Sequence, residues 1–184
     1  MSNNLTSKLV VAITSRALFD LDQAHRIYTS KGLEEYRQYQ LKRENSPLGP
    51  GTGYPLVQAL LAINDRLPDP IVDVVLLTRN DAESGLRIIN SIEAHHLPIS
   101  RMAFTDGSDP YHYLEIFSCD LFLSAHQDDV AAALAAGFAA GRVYPPPIEL
   151  RQDVTEVRIA FDGDAVLFGD ESESIYQTEG LEAF

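Results

Sequence analysis

The chain has 184 residues, 45% of them hydrophobic and 22% charged, which suits one domain or two small ones and excludes wholesale disorder. Fourteen Lys and Arg against 27 Asp and Glu leave a net charge of −13, a surface that repels phosphate backbones and anionic lipid, so no nucleic-acid or membrane partner is expected. The single Cys119 excludes an internal disulfide, no apolar run reaches about 18 residues, and the first residues lack a signal peptide's apolar core. The chain therefore reads as soluble and cytoplasmic.

In chain order, Lys8–Thr14 (KLVVAIT) is a β-branched apolar run of the kind buried on both faces of a sheet. Asp22–Glu44 is polar, rich in Glu, Gln, Arg and Tyr, and reads as helical. Ser46–Pro55 (SPLGPGTGYP) is a loop, and Leu56, Val57, Leu60, Leu61 and Ile63 then line one helical face. Ile71–Leu77 (IVDVVLL) is a second buried strand, followed by a helix over Asp81–His95 with acids in its first turn, where the helix dipole favours them. Asp120–Ser124 (DLFLS) is a third strand and Gln127–Gly137 an Ala-rich helix. Tyr144–Pro147 (YPPP) is the best boundary in the chain, and Glu156–Phe161 (EVRIAF) reads as a fourth strand. Strands alternating with helices of this length predict an α/β fold, a Rossmann-like parallel sheet with helices on both faces.

Shifted by 148 positions, the chain matches itself. Residues 12–36 (AITSRALFDLDQAHRIYTSKGLEEY) align without a gap on 160–184 (AFDGDAVLFGDESESIYQTEGLEAF), with eight identities in 25 pairs. Average composition would give about one or two. The duplication predicts a first unit over 1–147 and the opening strand and helix of a second over 148–184. The copies differ where chemistry is most expected: Asp162 and Asp164 face Thr14 and Arg16.

Asp162-Gly163-Asp164 follows an apolar run, at the carboxyl end of the predicted strand, where ligands bind in open α/β sheets. A carboxylate there can attack a phosphoryl group, and a second acid two residues on can protonate the leaving alkoxide and later deprotonate water. Such chemistry calls for Mg²⁺, a hard cation that offsets the combined negative charge. Asp162 suits the nucleophile, Asp164 the acid/base and both the metal, with Gly163 allowing close approach.

FDGDAVLFGDESE resembles the first motif of haloacid-dehalogenase-like phosphohydrolases, specifically that of the cytosolic 5'-nucleotidase type I family. ITSRALFDLD, RIYTSKGLEEYRQYQ, ENSPLGPGTGYPLVQAL, VVLLTRND, GLRIINSI and LFLSA are similar to that family's amino-terminal half. The resemblance implies Mg²⁺-dependent hydrolysis of nucleoside 5'-monophosphates, AMP or IMP, with Asp162 as nucleophile and Asp164 as acid/base. It also places the family's later motifs (a Thr or Ser, a Lys and an acidic pair) after the first one. On that expectation the second unit is truncated here. Thr78 and Ser124-Ala125 are their possible counterparts in the first unit, which then reads as a decayed copy without its metal ligands. The alternatives are a non-catalytic Rossmann-like module for dimerisation or nucleotide sensing, and an inactive fragment of a longer nucleotidase.

Other residues carry competing readings. Thr78 and Arg79, at a strand end before a helix, can hold a phosphate or merely open that helix. Gly49–Gly53 lacks the Lys and Ser/Thr of a P-loop and reads as a rigid turn. His126, Asp128 and Asp129 read as helix-start residues, His95-His96 as a helix end, Asp170, Glu171 and Glu173 as solvated or metal-assisting acids, and Tyr111-His112-Tyr113 as core packing. A strand in 156–184 would pair with the first unit's sheet edge or with a second protomer, so a homo-oligomer is among the expected states.

Overall fold

The computed structural model describes residues 8–145, 157–161 and 178. Five strands form one sheet: β1 (Leu9–Thr14), β2 (Val72–Thr78), β3 (Arg101–Phe104), β4 (Leu121–Ser124) and β5 (Ala140–Arg142). All neighbours are parallel, in the order β3-β2-β1-β4-β5. This is the doubly wound α/β arrangement that the alternating pattern predicts, with its switch point between β1 and β4. The helices are α1 (Ser15–Leu18), α2 (Asp22–Lys31), α3 (Leu33–Leu41), α4 (Tyr54–Asn64), α5 (Ala82–Ala94) and α6 (Gln127–Ala135).

The central strands are apolar at nearly every interior position because both faces are covered. Val11, Ile13, Val74 and Leu76 pack with Val57, Leu60, Ile88 and Ile92 on one side. Val10, Ala12, Val75, Leu77 and Phe122 pack with Leu114 and Ala133 on the other. The registers Thr14↔Leu77 and Ile13↔Leu123 bring the carboxyl ends of β1, β2 and β4 to one edge.

Three sequence expectations change. The single helical stretch over Asp22–Glu44 is two helices, because Gly32 adopts φ 89°, a left-handed conformation that suits glycine and breaks the ladder. β3 and β5 lie in stretches where the sequence pattern predicts no strand; they are edge strands of four and three residues, too short and too little buried to leave an apolar signature. Residues 157–161 of the expected fourth strand lie outside any strand, and Ile159 and Phe161 are 71% and 60% exposed. Apolar alternation alone does not make a strand. The unit boundary at 147/148 and the Asp162–Asp164 turn lie outside the described residues.

The Gly49–Gly53 loop is the rigid turn expected of it. It wraps α1: Gly51 N donates to Leu18 O (2.9 Å), Gly53 N to Ala17 O (2.7 Å), and Pro50 bridges the fully buried Phe19. His95, at the end of α5, stacks on Phe19 with ring centroids 5.7 Å apart and places Nε2 2.7 Å from Leu48 O. His95 is the C-cap of α5, the helix end expected of it, and packs there against Phe19. Tyr111 and Tyr113 likewise pack against the second cluster, while His112 between them is exposed.

A Cβ at Gly51 would lie 2.7 Å from the Phe19 backbone, whereas one at Gly49 meets nothing within 4 Å. Gly51→Ala is therefore expected to destabilise the fold by about 1–3 kcal/mol through overpacking. That lowers Tm by several degrees in a chain of this size. Gly49→Ala is the control and should stay near wild type; thermal melts of the two variants check the difference.

Candidate functional site

The three central strands end on hydroxyl residues: Thr14, Thr78 and Ser124, all buried. Thr14 Oγ1 donates to Ser124 Oγ at 3.4 Å, and Ser15 Oγ lies 2.9 Å from Thr78 Oγ1. Next to these strand ends, between α2, α3 and the loops that follow β2 and β4, opens a cleft of about 590 Å³. Its position at the carboxyl ends, next to the β1/β4 switch point, is where doubly wound sheets bind ligands.

Arg16, two residues beyond the end of β1, reaches the cleft. Its Nη2 donates to Asp22 Oδ1 at 3.2 Å, and its Nη1 lies 3.2 Å from His126 Nε2. Arg79, just past β2, also lines the cleft. Its Nη2 meets Asp129 Oδ1 at 2.5 Å and Asp109 Oδ1 at 2.7 Å, and its Nη1 donates to Gly107 O. The Arg79 guanidinium is thus held by two carboxylates, and the Thr78 hydroxyl donates to Asn80 Oδ1 at 3.0 Å. Arg79 lines the cleft already paired, while Thr78 is buried and bonded to its neighbours.

Asp129 does not cap α6, as a helix-start reading expects. It is 4% exposed and accepts from Ser124 Oγ (2.8 Å) as well as from Arg79. Its role depends on a strand end and a residue 50 positions away, so no local pattern exposes it. Asp81, by contrast, is the N-cap of α5 and accepts from Ser84 N at 2.7 Å. Burial works to raise its carboxyl, but the Ser84 amide and hydroxyl and the Arg37 guanidinium together hold it below the usual value.

The opposite wall is aromatic. Tyr28 meets Tyr36 edge-on at 6.0 Å, and His25 stacks on Tyr28 at 6.4 Å. Tyr36 Oη accepts from Asn80 Nδ2 at 2.6 Å, tying this wall to the end of β2. Enclosure and then the Arg16 guanidinium push both His25 and His126 below the ordinary imidazole value.

Among the described residues, no group of three or more His, Cys, Asp or Glu is arranged to hold a metal. The cleft does not suit Mg²⁺: Asp81 and Asp129 are bound to Arg37 and Arg79, and Thr14 and Arg16 stand at the positions that align with Asp162 and Asp164. The residues with the right donors are Asp162 and Asp164, whose hard carboxylate oxygens match Mg²⁺; with Gly163 they lie outside the described residues. Cys119 does not line the cleft, and burial pushes its thiol up to about 11, so it is no nucleophile at neutral pH.

Residues 1–184 match the family model for 5'-nucleotidase. Cytosolic 5'-nucleotidase 1B of Homo sapiens is 38% identical to this chain over 182 residues, covering 96% of this chain and 30% of that protein. The chain thus spans under a third of that relative's length. Among solved structures, the HAD domain of the effector protein Lem4 from Legionella pneumophila covers 79% of this chain and 90% of its own, with 14% identity and a TM-score of 0.42. An inactive mutant of the same domain covers 78% and 89%, with 14% identity and a TM-score of 0.42. The strand order, rather than these likenesses, establishes the α/β fold. Among the described residues, no helix is long and apolar enough to cross a membrane.

The two cleft histidines carry a pH dependence. Folding holds them below 6.5, so the unfolded chain binds more protons as the pH drops below that value. Their contribution is fully present above about pH 6.5 and is lost as the pH falls through the lowered folded values. Thermal melts between pH 7.5 and 5.5 should show Tm falling in the parent chain and falling less in a His25→Gln/His126→Gln variant. Superimposable profiles would contradict this.

Proposed function

The chain belongs to the 5'-nucleotidase family, and on that premise we propose that it contributes to the hydrolysis of nucleoside 5'-monophosphates such as AMP or IMP. The observation that carries this reading is the Asp162-Gly163-Asp164 motif after an apolar run, within a chain that the family matches from end to end. The duplication supports the assignment: of the two equivalent positions, only the second copy carries carboxylates able to act as nucleophile and acid/base. We place the units at 1–147 and 148–184, the first a non-catalytic copy.

In the proposed reaction a carboxylate oxygen of Asp162 attacks the phosphorus, and the bond from phosphorus to the ribose 5' oxygen breaks. Asp164 gives its proton to that leaving oxygen, which departs as the nucleoside. Asp164 then takes a proton from water, the water oxygen attacks the phosphorus of the aspartyl-phosphate, and phosphate is released with Asp162 restored. Asp162 and Asp164 would hold Mg²⁺, which when bound offsets the charge brought together by nucleophile and phosphate. Gly163 leaves room for the substrate between them. The substrate is the only partner this reading requires.

The test is phosphate release from AMP and IMP with Mg²⁺, for the 184-residue chain and its Asp162→Asn variant. Release by the parent chain and a loss of at least 10³-fold in the variant are expected, since removing a nucleophile leaves only the contributions of binding. Equal release by the two would overturn the assignment of Asp162. Removing Mg²⁺ with a chelator should abolish release as well.

A further inference from the structure

The chemistry proposed for Asp162 and Asp164 calls on no residue of the cleft at the ends of β1, β2 and β4. That cleft stands in its own unit where the D-x-D motif stands in the other, since the 25-residue match lays Thr14 on Asp162 and Arg16 on Asp164. That exchange removes a nucleophile and an acid/base and puts a guanidinium in place of a carboxylate. It leaves an open cavity of about 590 Å³, within the range of small-ligand sites.

The two walls differ in chemistry. His25, Tyr28 and Tyr36 form an aromatic side on which Tyr28 remains 49% exposed, a surface suited to stacking a planar heterocycle. Facing it, Arg16 has one carboxylate partner, Asp22 at 3.2 Å, whose side chain is 75% exposed, and its other terminal nitrogen lies 3.2 Å from His126 Nε2. So exposed an ion pair is weak and screened, and a phosphoryl group offering two oxygens to the guanidinium would displace it. Arg79 is locked by its carboxylates and serves the framework instead. Of the acids nearby, Asp81 and Asp129 are neutralised by arginines, while Asp106 and Asp128 sit at the exposed rim, where water and salt screen them.

We propose that this cleft is a second nucleotide site, which binds a nucleoside monophosphate without hydrolysing it, the base on the His25–Tyr28–Tyr36 wall and the phosphoryl group on Arg16. The site has no nucleophile for phosphorus at position 14 beyond a buried threonine hydroxyl and no carboxylate at position 16, so a bound nucleotide persists. The proposal rests on the nucleotidase reading only for the choice of ligand.

The test uses the 184-residue chain carrying Asp162→Asn, titrated with AMP, adenosine and inorganic phosphate by calorimetry, with the histidine ring signals followed by NMR. AMP is expected to bind more tightly than adenosine or phosphate and to shift the His25 and His126 signals. Arg16→Ala should weaken that binding at least tenfold, and Tyr28→Ala, an exposed position that leaves the core intact, should weaken it severalfold. Unmoved histidine signals, or an AMP affinity indifferent to both substitutions, would overturn the site. Phosphate binding as tightly as AMP would overturn the role of the aromatic wall, and adenosine doing so would overturn that of Arg16. Phosphate release by the parent chain is a separate readout: its absence would count against the nucleotidase reading and leave this one standing.

Discussion

Strand β1 pairs with β2 along one edge and β4 along the other, and its two faces are buried under separate clusters. A strand satisfied on all four sides has no freedom to shift by one residue without turning its apolar set the wrong way. The point where it stops is therefore fixed, and with it the places of Thr14, Ser15 and Arg16. The neighbouring strands stop in step, so the hydroxyls of Thr78 and Ser124 meet those of Ser15 and Thr14 at one edge of the sheet. The cleft is a consequence of that register, and its walls are whatever α2, α3 and the loops after β2 and β4 bring to it.

The ion pairs around the cleft are best understood as scaffolding. Arg79 ties the end of β2 to the start of α6 through Asp129, and Arg37 ties α3 to the cap of α5 through Asp81. Buried and half-buried carboxylates that are paired in this way cost less than unpaired ones, but they are no longer available as metal ligands. A sheet of this kind can lose catalytic acids without losing its fold, because the strands are held by burial and the loops by their own pairs. Duplication makes such a loss tolerable when a second copy retains the acids, which is how we read the contrast between Thr14/Arg16 and Asp162/Asp164.

The sequence was informative where burial is two-sided. β1, β2 and β4 are apolar runs because both faces are covered, and α5 announces itself by its periodicity and its capping aspartate. It was uninformative at the sheet's edges, where RMAF and AGR carry no run of β-branched residues and only partial burial. The break at Gly32 was hidden because helix-forming residues flank it on both sides. Within the cleft, Arg16 could be singled out only through the internal repeat, as the residue facing Asp164. Asp129 had no such signal: adjacent acids at a helix start look like caps, and its partners come from β2 and β4.

The central claim is a division between the copies, with covalent chemistry at Asp162 and none in the cleft of the first unit. Its most direct test is to incubate the chain with AMP and Mg²⁺, quench in acid, reduce any acyl-phosphate with borohydride and locate the modified residue by mass spectrometry. The account predicts reduction at Asp162 alone. Modification of a residue between 8 and 145, or none at Asp162, would contradict it.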